Sequence, residues 1–203
     1  MFIRRFAQLQ IGLLLYGLSI ALMVRANLGL NPWSVFHQGL SDLTGLSLGL
    51  IVNGVGLLVL LTWIPLRQKP GIGTICNVFV IGTSADAALW MLPPVSGLWL
   101  QVLFLIAAIV LNAAATGAYI GAGLGPGPRD GITTGLMRVT GWQVRWVRMG
   151  VEATVLALGW IMGGKVGVGT VLFVLTTGPL LQIFLPLFTW RGEGGEEGGW
   201  VVS

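Results

Sequence analysis

The sequence predicts an all-α integral membrane protein: six transmembrane helices forming two inverted three-helix repeats, each with a short non-spanning amphipathic helix. Three observations predict this. Hydrophobic side chains make up 55% of the 203 residues and charged ones only 9%, where a soluble domain carries about a quarter charged. Six apolar runs approach the roughly 20 residues needed to cross a bilayer. The chain also matches itself at an offset of 96 residues, which is the mark of a duplication.

The apolar runs lie at about 6–25, 46–66, 71–92, 97–120, 142–162 and 167–190. Arg4 and Arg5 ahead of the first run resemble a signal peptide. Its partner in the duplication is internal, so it is expected to stay as a span. Between the first two runs, the segment 31–43 carries Ser34, Gln38 and Ser41 on one helical face and Trp33, Phe36, Leu40 and Leu43 on another. Thirteen residues reach only about 20 Å, short of the roughly 30 Å hydrocarbon core. A matching short piece is expected at about 128–140.

From 26 to 89, 19 of 64 positions are identical to those 96 residues later, without a gap. Gly71-Ile72-Gly73-Thr74, for example, meets Gly167-Val168-Gly169-Thr170. The organisation expected is therefore a first membrane repeat over 1–95 and a second, inverted one over 96–190. A flexible Gly/Glu-rich cytoplasmic tail follows over 191–203. Three crossings per half turn the second half upside down, as in inverted-repeat transporters.

Charge supports that orientation. With both termini cytoplasmic, nine of the 11 basic residues fall on the inner side, leaving only Arg25 and Lys165 outside. Trp63, Trp90, Trp99, Trp142, Trp160 and Trp190 stand near predicted span ends, where an interfacial belt is expected. The formal charge of +4 comes without a long basic run or stacking motif, so nucleic acid is not an expected partner. The lone Cys76 excludes an intrachain disulfide and a zinc cluster. Neither Gly-x-Gly-Thr turn is followed by the lysine a phosphate loop requires. Close helix packing explains these turns better.

Several spaced motifs then carry a resemblance. Gly127-Pro128-Arg129-Asp130-Gly131, Thr140-Gly141, Val147-Arg148 with Glu152, Gly163-Gly164 and Gly178-Pro179 resemble the YczE-type bacterial membrane proteins, grouped with YyaS and YitT. Pro32-Trp33-Ser34-Val35 before His37-Gln38-Gly39 is similar to the matching motif, although that family often has Asp where Ser34 stands. The resemblance implies a multi-pass protein of the bacterial inner (plasma) membrane and a transporter or permease of unnamed substrate.

Glu152 lies about midway along its span, where a charge is kept for a partner, a substrate or a proton. Arg148, one turn earlier, offers either a structural bridge or a share in the same path. Arg129 and Asp130 follow the helix-breaking Gly125-Pro126-Gly127-Pro128, with Asp130 or Pro128 opening the next helix. Asn31 can cap the helix that begins at Pro32. Paired breaks in inverted halves suit an anionic or polar ligand. Ser34, His37, Gln38 and Asp86 supply further polarity, Asp86 being matched by Gln182.

The function expected is a secondary transporter or permease for a small polar or anionic solute, bound between the repeats. The alternatives are a ligand-binding membrane subunit of a larger transport complex and a non-transporting accessory or regulatory membrane protein. The lipid bilayer is the expected surrounding, with a homodimer or an energising subunit as further partners. One histidine, one cysteine and no nucleophile–base pairing leave little for an enzyme, and no cofactor or metal is implied.

Overall fold

A computed structural model describes residues 1–190, so the predicted 191–203 tail lies outside the described residues. The described chain folds as eight helices: α1 (Phe2–Ala26), α2 (Pro32–Thr44), α3 (Leu48–Thr62), α4 (Ile72–Met91), α5 (Leu98–Gly121), α6 (Pro128–Thr140), α7 (Val144–Ile161) and α8 (Val168–Phe188). The helix starts recur at the 96-residue offset: Phe2 with Leu98, Pro32 with Pro128, Leu48 with Val144, and Ile72 with Val168.

Backbone conformations recur with them. Positive φ occurs at Asn27 and Gly123, Gly29 and Gly125, Gly45 and Gly141, and Arg67 and Gly163. Gly45 and Gly141, at φ 71° and 70°, end the two short helices in the left-handed conformation that favours glycine. At Gly29 and Gly125 a φ of 113° and 127° coincides with close approach of the facing backbone, leaving no room for a Cβ. These turns steer the chain into α2 and α6.

The two short helices begin differently. Asn31 Oδ1 accepts the Ser34 N–H at 2.8 Å, capping α2 as the sequence suggests. Asp130 does not cap α6. Gly127 holds the cap position, and the Asp130 carboxylate reaches back one turn to accept the Gly127 N–H at 3.2 Å. Pro128 occupies the first helical position, where its missing N–H has no intrahelical partner to lose.

Four helices, α1, α4, α5 and α8, are long and apolar enough to cross a membrane. A fifth span arises if α2 and α3, bent by 114°, count as one broken crossing. The 15 residues of α3 reach only about 22 Å, and α7 carries Arg145, Arg148 and Glu152. By length or composition neither α3 nor α7 alone stands with those four helices, where the sequence led to six spans.

The centre is an antiparallel pair, α1 and α5. Gln8 donates to the Ala118 carbonyl at 2.9 Å near one end, and Asn112 donates to Ser19 Oγ at 2.9 Å further along. Gly12 lets the backbones approach at Ala115 and Tyr119. Helix α4 lies parallel to α1, with Gly17 against Ser84, and α8 lies parallel to α5, with Gly117 against Phe184.

The outer helices break this regularity. Helix α3 packs antiparallel on α4, where Gly49 meets Gly82 and Gly56 meets Val78. Asp86 fastens the pair, accepting the Ser47 hydroxyl at 2.5 Å and the Gly49 N–H at 2.7 Å. Helix α7 makes no comparable contact with α8 and packs instead on α2, with Gly159 against Val35 and Phe36. Gln182, matched to Asp86 in sequence, is exposed.

The loops before α2 and α6 hold the N-termini of α8 and α4. Gly169 N–H donates to the Leu28 carbonyl and Gly73 N–H to the Leu124 carbonyl, both at 2.8 Å. The Gly-x-Gly-Thr turns thus serve close packing and also supply a matched pair of backbone bonds. Trp90 and Trp99 are 88% and 90% exposed, as a belt requires, but Trp63 is buried. Its ring covers Gly131 and its Nε1 donates to the Pro128 carbonyl at 3.0 Å, because α3 ends against the start of α6.

Candidate functional site

The two short helices bring their polar residues to one small internal cavity. It measures about 20 Å³, room for one or two waters. Trp33 and His37 of α2, Val52 and Gly56 of α3, Asn77 of α4 and Arg129 of α6 are among its walls.

Arg129 sets the charge of this cavity. Its guanidinium carbon lies 4.7 Å from the centroid of the Trp33 ring, and its Nη1 donates to Tyr16 Oη at 3.3 Å. Among the described residues no carboxylate forms an ion pair with it. His37 is 1% exposed, held between the Trp33 and Phe36 rings, and its Nδ1 has no hydrogen-bond partner. An unpaired polar atom in such a place costs about 1–3 kcal/mol.

Asp130 stands beside the cavity. Its Oδ2 accepts the Tyr119 hydroxyl at 3.1 Å as well as the Gly127 N–H. Tyr119 packs edge-on against Tyr16, ring centroids 6.1 Å apart, so two tyrosines join Asp130 to Arg129. Burial pushes the Asp130 carboxyl above the usual carboxylate range, and the Arg148 charge, followed by the Tyr119 hydrogen bond, opposes that shift.

The other sequence candidates lie elsewhere. Ser34 is buried with its Oγ unpartnered, and Asn31 is engaged as the α2 cap. Gln38 Oε1 accepts the Lys165 N–H at 3.0 Å, fastening α2 to the loop before α8. Asp86 is turned to the N-terminus of α3, away from Gln182. Arg148 Nε and Glu152 Oε1 form an intrahelical ion pair at 3.0 Å, with side chains 54% and 32% exposed. The pair stands 96 residues beyond Val52 and Gly56, both of which line the cavity.

Tyr16, Tyr119 and Trp33 join the site without having been site candidates, although Trp33 stands in the Pro32-Trp33-Ser34-Val35 motif. Aromatic residues in apolar spans carry no signal of their own. The cue was available at Trp33, which is aligned with Arg129 in the duplication. Among the described residues no three His, Cys, Asp or Glu side chains gather as metal ligands. A second, open cleft of about 440 Å³ separates α6 from α7, with Trp33, Leu136, Trp142 and Trp146 among its walls.

Residues 3–186 match the model of a family of unknown function, DUF6198. The chain belongs to this family. An uncharacterized membrane protein, YczE, of Bacillus subtilis (strain 168) is 37% identical over 175 residues, covering 86% of this chain and 81% of its own. An uncharacterized protein of Haemophilus influenzae is 35% identical over 180 residues, covering 86% and 83%. The uncharacterized protein YyaS of B. subtilis is 29% identical over 183 residues, covering 87% and 90%. No solved structure matches. This DUF6198 chain is accordingly a multi-pass membrane protein of the YczE type, in keeping with its long apolar helices.

Proposed function

We propose that the protein is a secondary transporter or permease for a small polar or anionic solute, with its site at the His37–Arg129 cavity. The observation that carries this reading is the contact between Trp33 and Arg129. These residues are 96 positions apart, at corresponding places in the duplicated sequence. Corresponding residues of a two-fold repeat can touch only at the axis relating the halves, so the cavity lies where rocking halves would meet.

In this reading 1–95 and 96–190 are inverted repeats, each with three crossings (α1, α3, α4 and α5, α7, α8), and both chain ends face the cytoplasm across the bacterial plasma membrane. The antiparallel course of α1 and α5 supports inversion. The close α3–α4 contact and the parted α7 and α8 support alternating access, one half being closed while the other is open. Closing α7 onto α8 brings Arg148 and Glu152 to the solute path, at the places held by Val52 and Gly56 in the first half.

Purified protein in liposomes tests this. Solute uptake by the protein alone, abolished by Arg129→Gln, is the expected result. Binding without flux would instead make the chain a ligand-binding subunit that needs an energising complex, and neither would leave an accessory role.

A further inference from the structure

We infer that the cavity between α2 and α6 takes a small monovalent anion, with Arg129 supplying the countercharge and the His37 imidazole in the same wall. This deepens the transport reading and rests on it only for the location of the site.

Three observations fix the ligand class. Arg129 brings a permanent positive charge that the Trp33 face and the Tyr16 hydroxyl solvate but do not neutralise. Its neighbour Asp130 is engaged by Tyr119 and Gly127 and forms no ion pair with it. A cation would be repelled by Arg129, whereas an anion gains a charge-assisted hydrogen bond from the guanidinium, the Asp130 carboxylate being turned to Tyr119 and Gly127.

His37 independently points to a ligand. The side chain is 1% exposed, lines the cavity and leaves Nδ1 without a partner. The imidazole thus stands without a partner at Nδ1 in the same wall lining as Arg129, and a neutral ring keeps one N–H to donate. Asn77 of α4 also lines the cavity.

Size and charge then narrow the class. A cavity with room for one or two waters makes small anions such as chloride, formate or nitrite the probes nearest its size. One guanidinium balances one negative charge, and the walls supplied by Val52, Val55, Val59 and Ile81 do not compensate desolvation of a second. A monovalent, weakly hydrated anion meets both conditions.

The test uses the full chain in detergent, titrated with sodium chloride or sodium formate, with sodium gluconate holding ionic strength constant. Thermal unfolding and calorimetry are the readouts. The expected result is a saturable stabilisation by chloride or formate over gluconate, unchanged when potassium replaces sodium. Affinity should weaken about tenfold or more in Arg129→Lys, which removes the guanidinium fork, and in His37→Phe, which removes the imidazole polarity from the wall.

Equal melting in chloride, formate and gluconate, meaning a water-filled packing void only, would overturn the inference. So would an anion effect of the same size in both variants, or dependence on the cation. Binding without liposome flux leaves the anion site standing and removes the transport reading. Flux of a neutral or cationic solute with no anion effect does the reverse.

Discussion

The Arg129 guanidinium lies 4.7 Å from the centroid of the Trp33 ring, joining the first turns of α2 and α6. A buried cation over an aromatic face is worth about 0.5–2 kcal/mol. Trp33→Phe keeps a ring face and should lower stability modestly. Trp33→Leu should lose the full increment and change solute affinity as well. Thermal unfolding of the two variants in detergent checks this, and equal melting would remove the weight given to the contact.

The Tyr119–Asp130 bond predicts coupling between two side chains. Tyr119→Phe removes the hydroxyl donor and leaves Asp130 only the Gly127 N–H, at an expected cost of about 1–3 kcal/mol. In a double-mutant cycle with Asp130→Asn the two losses should fall short of additivity by at least about 0.5 kcal/mol. Additive losses would mean that the residues act separately.

Asp86 and Glu152, both carboxylates in apolar helices, should respond in opposite ways. Asp86→Asn weakens the junction with Ser47 and Gly49 and should destabilise by about 1–3 kcal/mol. The Arg148–Glu152 pair lies within one helix and fastens no second one, so Glu152→Gln should cost less than Asp86→Asn and melt nearer the parent while losing flux. A large drop in melting temperature for Glu152→Gln would make it a structural bridge.

Cross-linking tests the proposed rocking of the halves. In a Cys76→Ala background, Gly56→Cys with Val78→Cys joins α3 to α4 in this conformation. The pair Met149→Cys with Gly178→Cys, matched to the Asn53–Gly82 contact, should join α7 to α8 only after the second half closes. Solute should therefore shift the two yields in opposite directions. Yields that rise or fall together would exclude rocking.

Two glycine positions separate packing from propensity. Gly131 lies under the Trp63 ring, so Gly131→Ala must displace Trp63 or α6, at about 1–3 kcal/mol. Gly150 has open space around it, and Gly150→Ala should be neutral or stabilising by up to about 1 kcal/mol. Melting temperatures of the two proteins distinguish these outcomes.

Much of the helical order was legible because its causes are local. Pro32 and Pro128 start the short helices, Gly45 and Gly141 end them, and Asn31 caps the first. Arg129 was legible as a candidate because it follows a helix break matched in the other half, and His37 because it adds polarity to a short amphipathic helix. Trp63 was misread because an indole near a span end serves an interfacial belt or a buried contact equally well. Asp86 was paired with Gln182 by register, but the junction formed by one has no equivalent around the other.

By itself the sequence determined that the chain enters a membrane, that its elements are helices with these ends, and that their order repeats after 96 residues. Hydropathy, capping and left-handed turns act within a few residues, and duplication copies them in place. Only the tertiary structure decided that Trp33 meets Arg129, that Tyr119 holds Asp130, and that α7 stands apart from α8. Those outcomes depend on how helices of similar apolar character choose neighbours. That choice is made by backbone approach at small residues such as Gly12, Gly49 and Gly159, and by single polar junctions such as Asp86. The site is consequently a property of contacts between the halves, each of which, read alone, contains only part of it.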